Sequence, residues 1–491
     1  MIFPDPIPTI LRPFGEKLAA AQFAIYRAEW QLEAEGDAGA VPALVQAQLE
    51  FHALCQHEGL TAALADADPD AYLVLELKRL QAQTVGIPLQ VQQQAVGAAL
   101  QSLQAWHAAK ATNDFTQVAG PLAQLIGVQR GLAAIKAQNL SRLYDRHVTP
   151  YEALIDAYDP GRRLSMVKRE FARLVPVCQD LLNAHDHDGA ASDLFAGRDC
   201  PMEKQLDLAV EVMGAMGYDA HPPRGKLGLS AHPLCRRVGA DEVWLTSRAE
   251  PSPLNALLTV VHEGAHGRYY QGLGTALGGS WASMVAGESL NEGMALLAEH
   301  VIARGKPFAR YLAPRLNRAF DMELSAEAIH AELNAVARDP IRAVAREVSY
   351  PLHLVLRTEM EEALIDGGMD VAELPGAWNR RTHELLGFTP ASDNEGCLQD
   401  IHLYAGYLGY FPSYLLGHMA AAQIFPALQA ALPELDDQIA EGDFADMNGW
   451  LFDHVYKAGR TQPIDRLMIG MTGQHLGADA LIGHLQGRYS K

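Results

Sequence analysis

The sequence predicts a mainly α-helical fold that carries one small antiparallel β-sheet. Three observations lead there. Residues 15 to about 145 are rich in Ala, Leu, Gln and Glu, all good helix formers, and poor in glycine. Helical spacing of apolar residues returns from Leu254 and dominates to the C-terminus. Between these stretches, Gly225 to Arg248 gains glycine and proline, and Glu242-Val-Trp-Leu-Thr246 alternates as a strand does.

Taken in order, Val91 to Lys110 and Phe115 to Leu143 repeat apolar residues every three or four positions, which predicts long amphipathic helices. Gly36, Asp66-Ala-Asp-Pro-Asp70 and Gly86-Ile-Pro88 supply the breaks between helices. Pro150 and the Asp159-Pro-Gly161 turn mark a change of segment. No internal repeat or low-complexity linker interrupts the chain. A single domain over residues 1–491 is therefore expected, with helices over 1–150 in front of a catalytic portion over 151–491.

Composition narrows the partners. The chain has 39 basic against 59 acidic residues, a net charge of -20, and no basic patch to neutralise phosphates. A nucleic-acid partner is excluded. With 49% apolar residues, the chain can bury a substantial core. Cys55, Cys178, Cys200, Cys235 and Cys397 are odd in number, far apart and without a Cys-x-x-Cys pair. They predict buried free thiols in a reducing compartment, not a disulfide framework or a thiolate zinc site. The segment Met1 to Lys17 lacks a basic start followed by an apolar core, and no run approaches the roughly 18 apolar residues of a bilayer span. A cytoplasmic protein with no membrane partner is the expectation.

The chemistry is carried by His262-Glu263-Gly-Ala-His266. Leu254, Leu258, Val261 and Ala265 recur at helical spacing around it, so one face of this helix should be buried. Four residues apart, His262 and His266 leave the same side of the helix one turn from each other, and two neutral imidazoles so placed can chelate one zinc ion. Glu263 lies beside them and can take a proton from water activated by the metal. A catalytic zinc needs a third protein ligand. Downstream, Gly287-Glu288-Ser-Leu-Asn-Glu292-Gly-Met-Ala-Leu-Leu-Ala-Glu299-His300 reads as a second helix. Glu288 and Glu292 are one turn apart, so either could bind directly with the other behind it. Glu292 is the favoured ligand because Asn-Glu-Gly-x-Ala is similar to the third-ligand segment of several zinc peptidases.

With these residues in place, the chain resembles the thermostable carboxypeptidase (carboxypeptidase Taq) family of metallocarboxypeptidases. His262-Glu-Gly-Ala-His-Gly-Arg-Tyr-Tyr-Gln-Gly-Leu273 is similar to that family's zinc helix and the turn after it. Gly396-Cys-Leu-Gln-Asp-Ile-His402 matches its G-x-x-Q-D-x-H motif, and Gly409-Tyr-Phe-Pro-Ser-Tyr414 its G-Y-F-P-x-Y motif. The resemblance implies a largely helical fold with a deep cleft, N-terminal helices over its mouth, and a homodimer. It implies one Zn2+ per chain, with Co2+ or another divalent ion possible, and the removal of C-terminal residues from peptides. His262, His266 and Glu292 would be the ligands and Glu263 the general base and acid. His402 with Tyr414, or Tyr410 in its place, would stabilise the oxyanion. The family's third-ligand segment reads H-E-S-Q; here it is Asn291-Glu292-Gly-Met294.

Three family motifs that hold the substrate's terminal carboxylate, H-P-F, D-x-R-x-T and I/V-R-x-x-A-D, are altered. They become His232-Pro-Leu234, Glu242-Val-Trp244-Leu-Thr246 and Ile341-Arg342-Ala-Val-Ala-Arg346. An arginine is lost to Trp244 and an aspartate to Arg346, while Arg342 remains. His232, Trp244, Arg342 and Arg346 are thus the expected substrate-binding residues, with arginine suited to a carboxylate and Trp244 to stacking. The expected substrate is a peptide with a free carboxylate. A small amide such as an acyl amino acid, and a non-catalytic peptide-binding protein, are the alternatives.

Overall fold

The computed structural model describes residues 7–186, 194–230, 233–248, 250 and 252–490. Helices dominate throughout, as the composition predicts. The chain forms two compact units whose segments alternate along the sequence. The first comprises Met1–Phe51, Asp188–Ala335 and Gly417–Leu481; the second comprises His52–His187, Val336–Leu416 and Ile482–Lys491. The expected division at residue 150 lies inside the second unit.

In the first unit, helix α1 (Arg12–Glu33) starts on Pro13, whose fixed φ suits a first turn, and buries Leu18, Phe23 and Trp30. Among the described residues the strands are β1 (Gly225–Leu229), β2 (Cys235–Arg237) and β3 (Val243–Ser247), in the order β1-β3-β2. The sheet is mixed, which corrects the antiparallel expectation: β2 runs antiparallel to β3, but β1 runs parallel to it. Alternation has the same period in both kinds of pairing, so it is blind to strand direction. Residues 238–242 turn β2 back onto β3, and β1 pairs with the opposite edge of β3.

Val243 and Leu245 point from β3 into a cluster with Cys235, Met213, Tyr218 and Val260, all buried. Each aliphatic side chain so buried contributes about 1.5–3 kcal/mol. Val260 belongs to the long helix α2 (Pro253–Leu277), so the cluster seats that helix on the sheet. The expectation of one buried face understates its position. Residues on several sides of α2 are buried, and only a strip that includes His262, Glu263 and Tyr270 keeps partial exposure near the motif. Gly264 and Gly267 make this possible, because a Cβ on either would collide with the Met213 side chain or the Tyr218 ring. Helix α3 (Glu288–Leu296) follows, and its last turn opens into a π-helical segment at Leu297–Ile302.

The second unit is built around helices Leu89–Thr112 and Thr116–Tyr144, close to the expected spans. Against the expectation of no such segment, Thr116–Tyr144 is long and apolar enough on average to cross a bilayer, although Gln124, Gln129 and Arg130 interrupt it. Arg130 is satisfied by the Leu364 and Met369 carbonyls at 2.6 and 2.9 Å. Helix α4 (Tyr350–Ile365) is buried along most of its length. Helix α5 (Phe411–Ala431) begins in this unit and enters the first at Gly417.

Candidate active site

On α2, His262 and His266 bring their Nε2 atoms to 3.2 Å from each other. Glu292, on α3 as the sequence favours, places Oε2 3.6 Å from both nitrogens. Each Nδ1 is tied elsewhere. His262 Nδ1–H donates to Glu299 Oε2 at 2.9 Å, and His266 Nδ1–H to Asn291 Oδ1 at 2.9 Å. With both protons on Nδ1, two Nε2 lone pairs point at one another, which is repulsive unless a cation lies between them. Two donors each about 2.0–2.1 Å from one tetrahedral ion stand about 3.3–3.4 Å apart, close to the separations seen. His262, His266 and Glu292 therefore fit a single metal ion.

The electrostatics agree. Burial works against charge on His262 and His266, but the carboxylates of Glu292 and, for His262, Glu299 outweigh it and raise both imidazoles above their ordinary range. Burial likewise opposes ionisation of Glu292, yet the two histidines hold its carboxyl well below the usual range. The group as a whole attracts positive charge. Glu263 differs: burial dominates and raises its carboxyl, a direction suited to a group that accepts and returns a proton near neutrality.

Glu288, the alternative ligand, is not in the metal group; its Oε2 accepts from Asn291 Nδ2 at 2.9 Å. Sequence reasoning assigned no role to three residues that hold this centre. Glu299 sits in the π-helical segment and also lies 3.4 Å from His300 Nε2 and 3.7 Å from Arg304. Asn291 backs His266. Gly417 lets α5 pass against Glu292: a Cβ there would stand 2.8 Å from the Glu292 Cβ and 2.9 Å from the Gly293 nitrogen. The only local signal for Glu299 is its spacing of seven residues, two turns, from Glu292.

Trp244 lies on the face of β3 opposite the Val243 and Leu245 cluster. Its ring meets Trp30 edge-on at 5.5 Å and has the Arg27 guanidinium at 5.0 Å and the Lys226 ammonium at 4.8 Å. His232 lies outside the described residues.

In the second unit the later motifs converge. His402 Nε2 is 3.3 Å from the Tyr414 hydroxyl, and the Tyr410 ring lies 5.1 Å from that of Tyr414. Gln399 and Asp400 hold Arg342. Gln399 Oε1 accepts its backbone N–H at 2.9 Å, and Asp400 Oδ1 accepts from Nε and Nη2 at 2.9 and 2.8 Å. Arg357 donates to the other Asp400 oxygen. Arg346 is engaged by Asp339, which takes both its side-chain N–H (2.6 Å) and its backbone N–H (2.8 Å).

Comparison with known proteins gives one answer. The family model described as Carboxypeptidase Taq (M32) metallopeptidase matches residues 46–489. Carboxypeptidase 1 of Bacillus subtilis is 32% identical over 392 residues, 79% of this chain and 76% of that protein. Thermostable carboxypeptidase 1 of Thermus thermophilus is 31% identical over 344 residues, 69% of this chain and 67% of that one. Among solved structures, the M32 carboxypeptidase from Deinococcus radiodurans superposes with a TM-score of 0.86 at 28% identity, covering 97% of each chain. Trypanosoma cruzi metallocarboxypeptidase 1 does so at 0.88 and 27%, covering 98% of this chain and 99% of that one. A buried two-histidine, one-glutamate group on a helical fold, matched over most of its length to carboxypeptidases, places the chain in the carboxypeptidase Taq (M32) family of metallopeptidases.

Proposed function

We propose that this chain removes C-terminal residues from peptides, with His262, His266 and Glu292 holding one zinc ion and Glu263 handling the proton. The observation that carries the reading is the convergence of three ligand atoms, two of them on imidazoles whose Nδ1 is already bonded, so that each imidazole is committed to present Nε2. A divalent ion held there supplies Lewis acidity to the scissile carbonyl and to water. Glu263, whose carboxyl burial makes more basic than usual, takes the proton from the attacking water and passes it to the leaving amine. The resemblance assigns the developing oxyanion to His402 and Tyr414, whose polar atoms are 3.3 Å apart, with Tyr410 as the alternative to Tyr414.

For the substrate carboxylate, Arg342 is the favoured partner, since Gln399 and Asp400 orient it from the backbone and from one edge of the guanidinium. Arg346, held by Asp339 through side chain and backbone in the same manner, is the second candidate. Neither altered position thus brings a cation free of a carboxylate, because Trp244 replaces arginine and Arg346 is ion-paired. That favours a second reading, a small acyl-amino-acid amide as substrate, if peptides fail.

The test combines metal analysis with a peptidase assay on wild type and Glu263→Gln, using peptides with free or amidated C-termini. Near-stoichiometric zinc in both, with trimming of free-ended peptides by wild type only, is the expected result. Zinc without peptide cleavage directs the search to small amides. Wild type that holds no metal leaves a peptide-binding role.

A further inference from the structure

The two metal-facing histidines are backed by chemically unequal partners. His262 donates to a carboxylate, Glu299, whereas His266 donates to a neutral amide oxygen, that of Asn291. Asn291 is 3% exposed and stands where the family motif H-E-S-Q has histidine. Both hydrogens of its amide nitrogen are used. Nδ2 donates to the Tyr270 hydroxyl at 2.9 Å and to Glu288 Oε2 at 2.9 Å.

Those partners decide which way the amide points. Turned over, it would set its oxygen lone pairs against those of Glu288 Oε2 and a nitrogen against His266 Nδ1. Glu288 therefore selects the orientation with nitrogen toward itself and oxygen toward His266. That orientation makes His266 Nδ1 the protonated nitrogen and leaves the lone pair on Nε2, the atom 3.2 Å from its counterpart on His262. Tyr270, one turn beyond His266 on α2, closes the network from the other side, with its ring 6.4 Å from the imidazole. The glutamate that sequence reasoning weighed as a ligand thus acts at one remove, through an amide.

We propose that Asn291, oriented by Glu288 and Tyr270, is a positioning residue that sets the tautomer of His266 and so the affinity of this chain for its metal. The inference rests on the metal reading above. It also makes the site asymmetric: Glu299 lends charge to His262, while Asn291 orients His266 without adding charge, so His266 is the ligand whose hold depends on orientation alone.

The experiment measures zinc dissociation constants by competition with a chromophoric chelator, on metal-free wild type, Asn291→Leu, and the double variant Asn291→Asp with Glu288→Gln. Metal-free melting temperatures are recorded alongside. Asn291→Leu removes the acceptor and should weaken zinc by about 10- to 100-fold, as loss of outer partners does. The double variant inverts the polarity of the network but keeps an acceptor on His266 and a donor behind it; it should return the constant to within a few-fold of wild type or tighter. Should Asn291→Leu fail to fold, the double variant alone decides, because a merely structural asparagine predicts no retained affinity there. Wild-type affinity in Asn291→Leu, or loss in the double variant equal to the loss in Asn291→Leu, overturns the inference alone. Wild type that binds no zinc overturns the metal reading and this inference with it.

Discussion

Gly417 and Glu292 come from separate helices that cross with almost no space between them: a Cβ on Gly417 would lie 2.8 Å from the Glu292 Cβ. The second obstruction is backbone, the Gly293 nitrogen at 2.9 Å, which cannot swing aside as a side chain can. Gly417→Ala should therefore push α3 away and displace Glu292 from the two histidines. Overpacking of this kind costs about 1–3 kcal/mol, and a displacement of about 1 Å at a reacting centre can cost on the order of 100-fold in rate. The expected result is a lower melting temperature, a larger zinc dissociation constant and a fall in kcat/KM. An alanine variant with wild-type zinc affinity shows that the crossing has room to relax.

A second buried carboxyl, Glu361 on α4, should give stability a distinct pH dependence. Burial is the largest influence and pushes its pKa up to about 8, although the Gly409 N–H (2.8 Å) and the Tyr151 hydroxyl (2.9 Å) donate to Oε2 and work the other way. Its Oε1 has no hydrogen-bond partner, as suits a carboxyl that prefers its neutral form. A raised folded-state pKa means that the contribution is whole below the unfolded value near 4.5. It is lost as pH rises through about 8. Stability should fall by up to about 1.4 kcal/mol per pH unit across that window. Glu361→Gln, which keeps an acceptor for both donors, should flatten the decline in denaturant midpoint between pH 5 and 8. An unchanged slope assigns the decline to other groups.

The difference between Glu292 and Gly417 also shows what could be read in advance. That His262, His266 and Glu292 come together is legible because helical periodicity and a short motif lie within one stretch of chain. Gly417 belongs to a different stretch, and nothing in Leu415-Leu-Gly-His418 announces that a glutamate backbone passes beside it. Glu299 and Asn291 were within the quoted segment, yet their roles depend on a π-helical turn and on which way an amide points, neither of which spacing encodes. The sheet lies where alternation places it, but alternation has the same period in both kinds of pairing and so does not encode that β1 runs parallel to β3. Motif resemblance singles out His402 and Tyr414, and the fold brings their polar atoms to 3.3 Å from each other.

Asp400 is the counter-charge for two arginines at once, taking Arg342 on one oxygen and Arg357 on the other. All three side chains are nearly or wholly buried, and the guanidinium groups hold the Asp400 carboxyl far below its usual range against the opposing effect of burial. Removing one partner of a buried pair strands the rest. Asp400→Asn keeps the shape but leaves two buried cations facing an amide, and should destabilise the protein by about 3–5 kcal/mol. Urea titration measures this directly. A loss below about 1 kcal/mol would mean that solvent or another acid reaches these arginines. If Arg342 also recognises substrate, KM for free-ended peptides should rise in whatever fraction remains folded.

Trp244 separates a packing role from a binding role. Its ring has two cations against it and a tryptophan edge beside it, and Lys226 is itself anchored to Glu35 at 2.9 Å. Cation–π contacts contribute about 0.5–1 kcal/mol each when exposed, and an aromatic pair about 0.5–1.5. Trp244→Ala should accordingly cost roughly 2–3 kcal/mol of stability. Trp244→Arg should cost at least as much, since it replaces an attractive π face with a third positive charge between Arg27 and Lys226. If packing is its whole role, both variants lower the denaturant midpoint while KM on free-ended and amidated peptides stays as in wild type. If the tryptophan stacks on substrate, Trp244→Ala raises KM on both substrates, and Trp244→Arg shifts the preference toward the free carboxylate. Unchanged stability together with an altered KM assigns Trp244 to the substrate and removes the packing account.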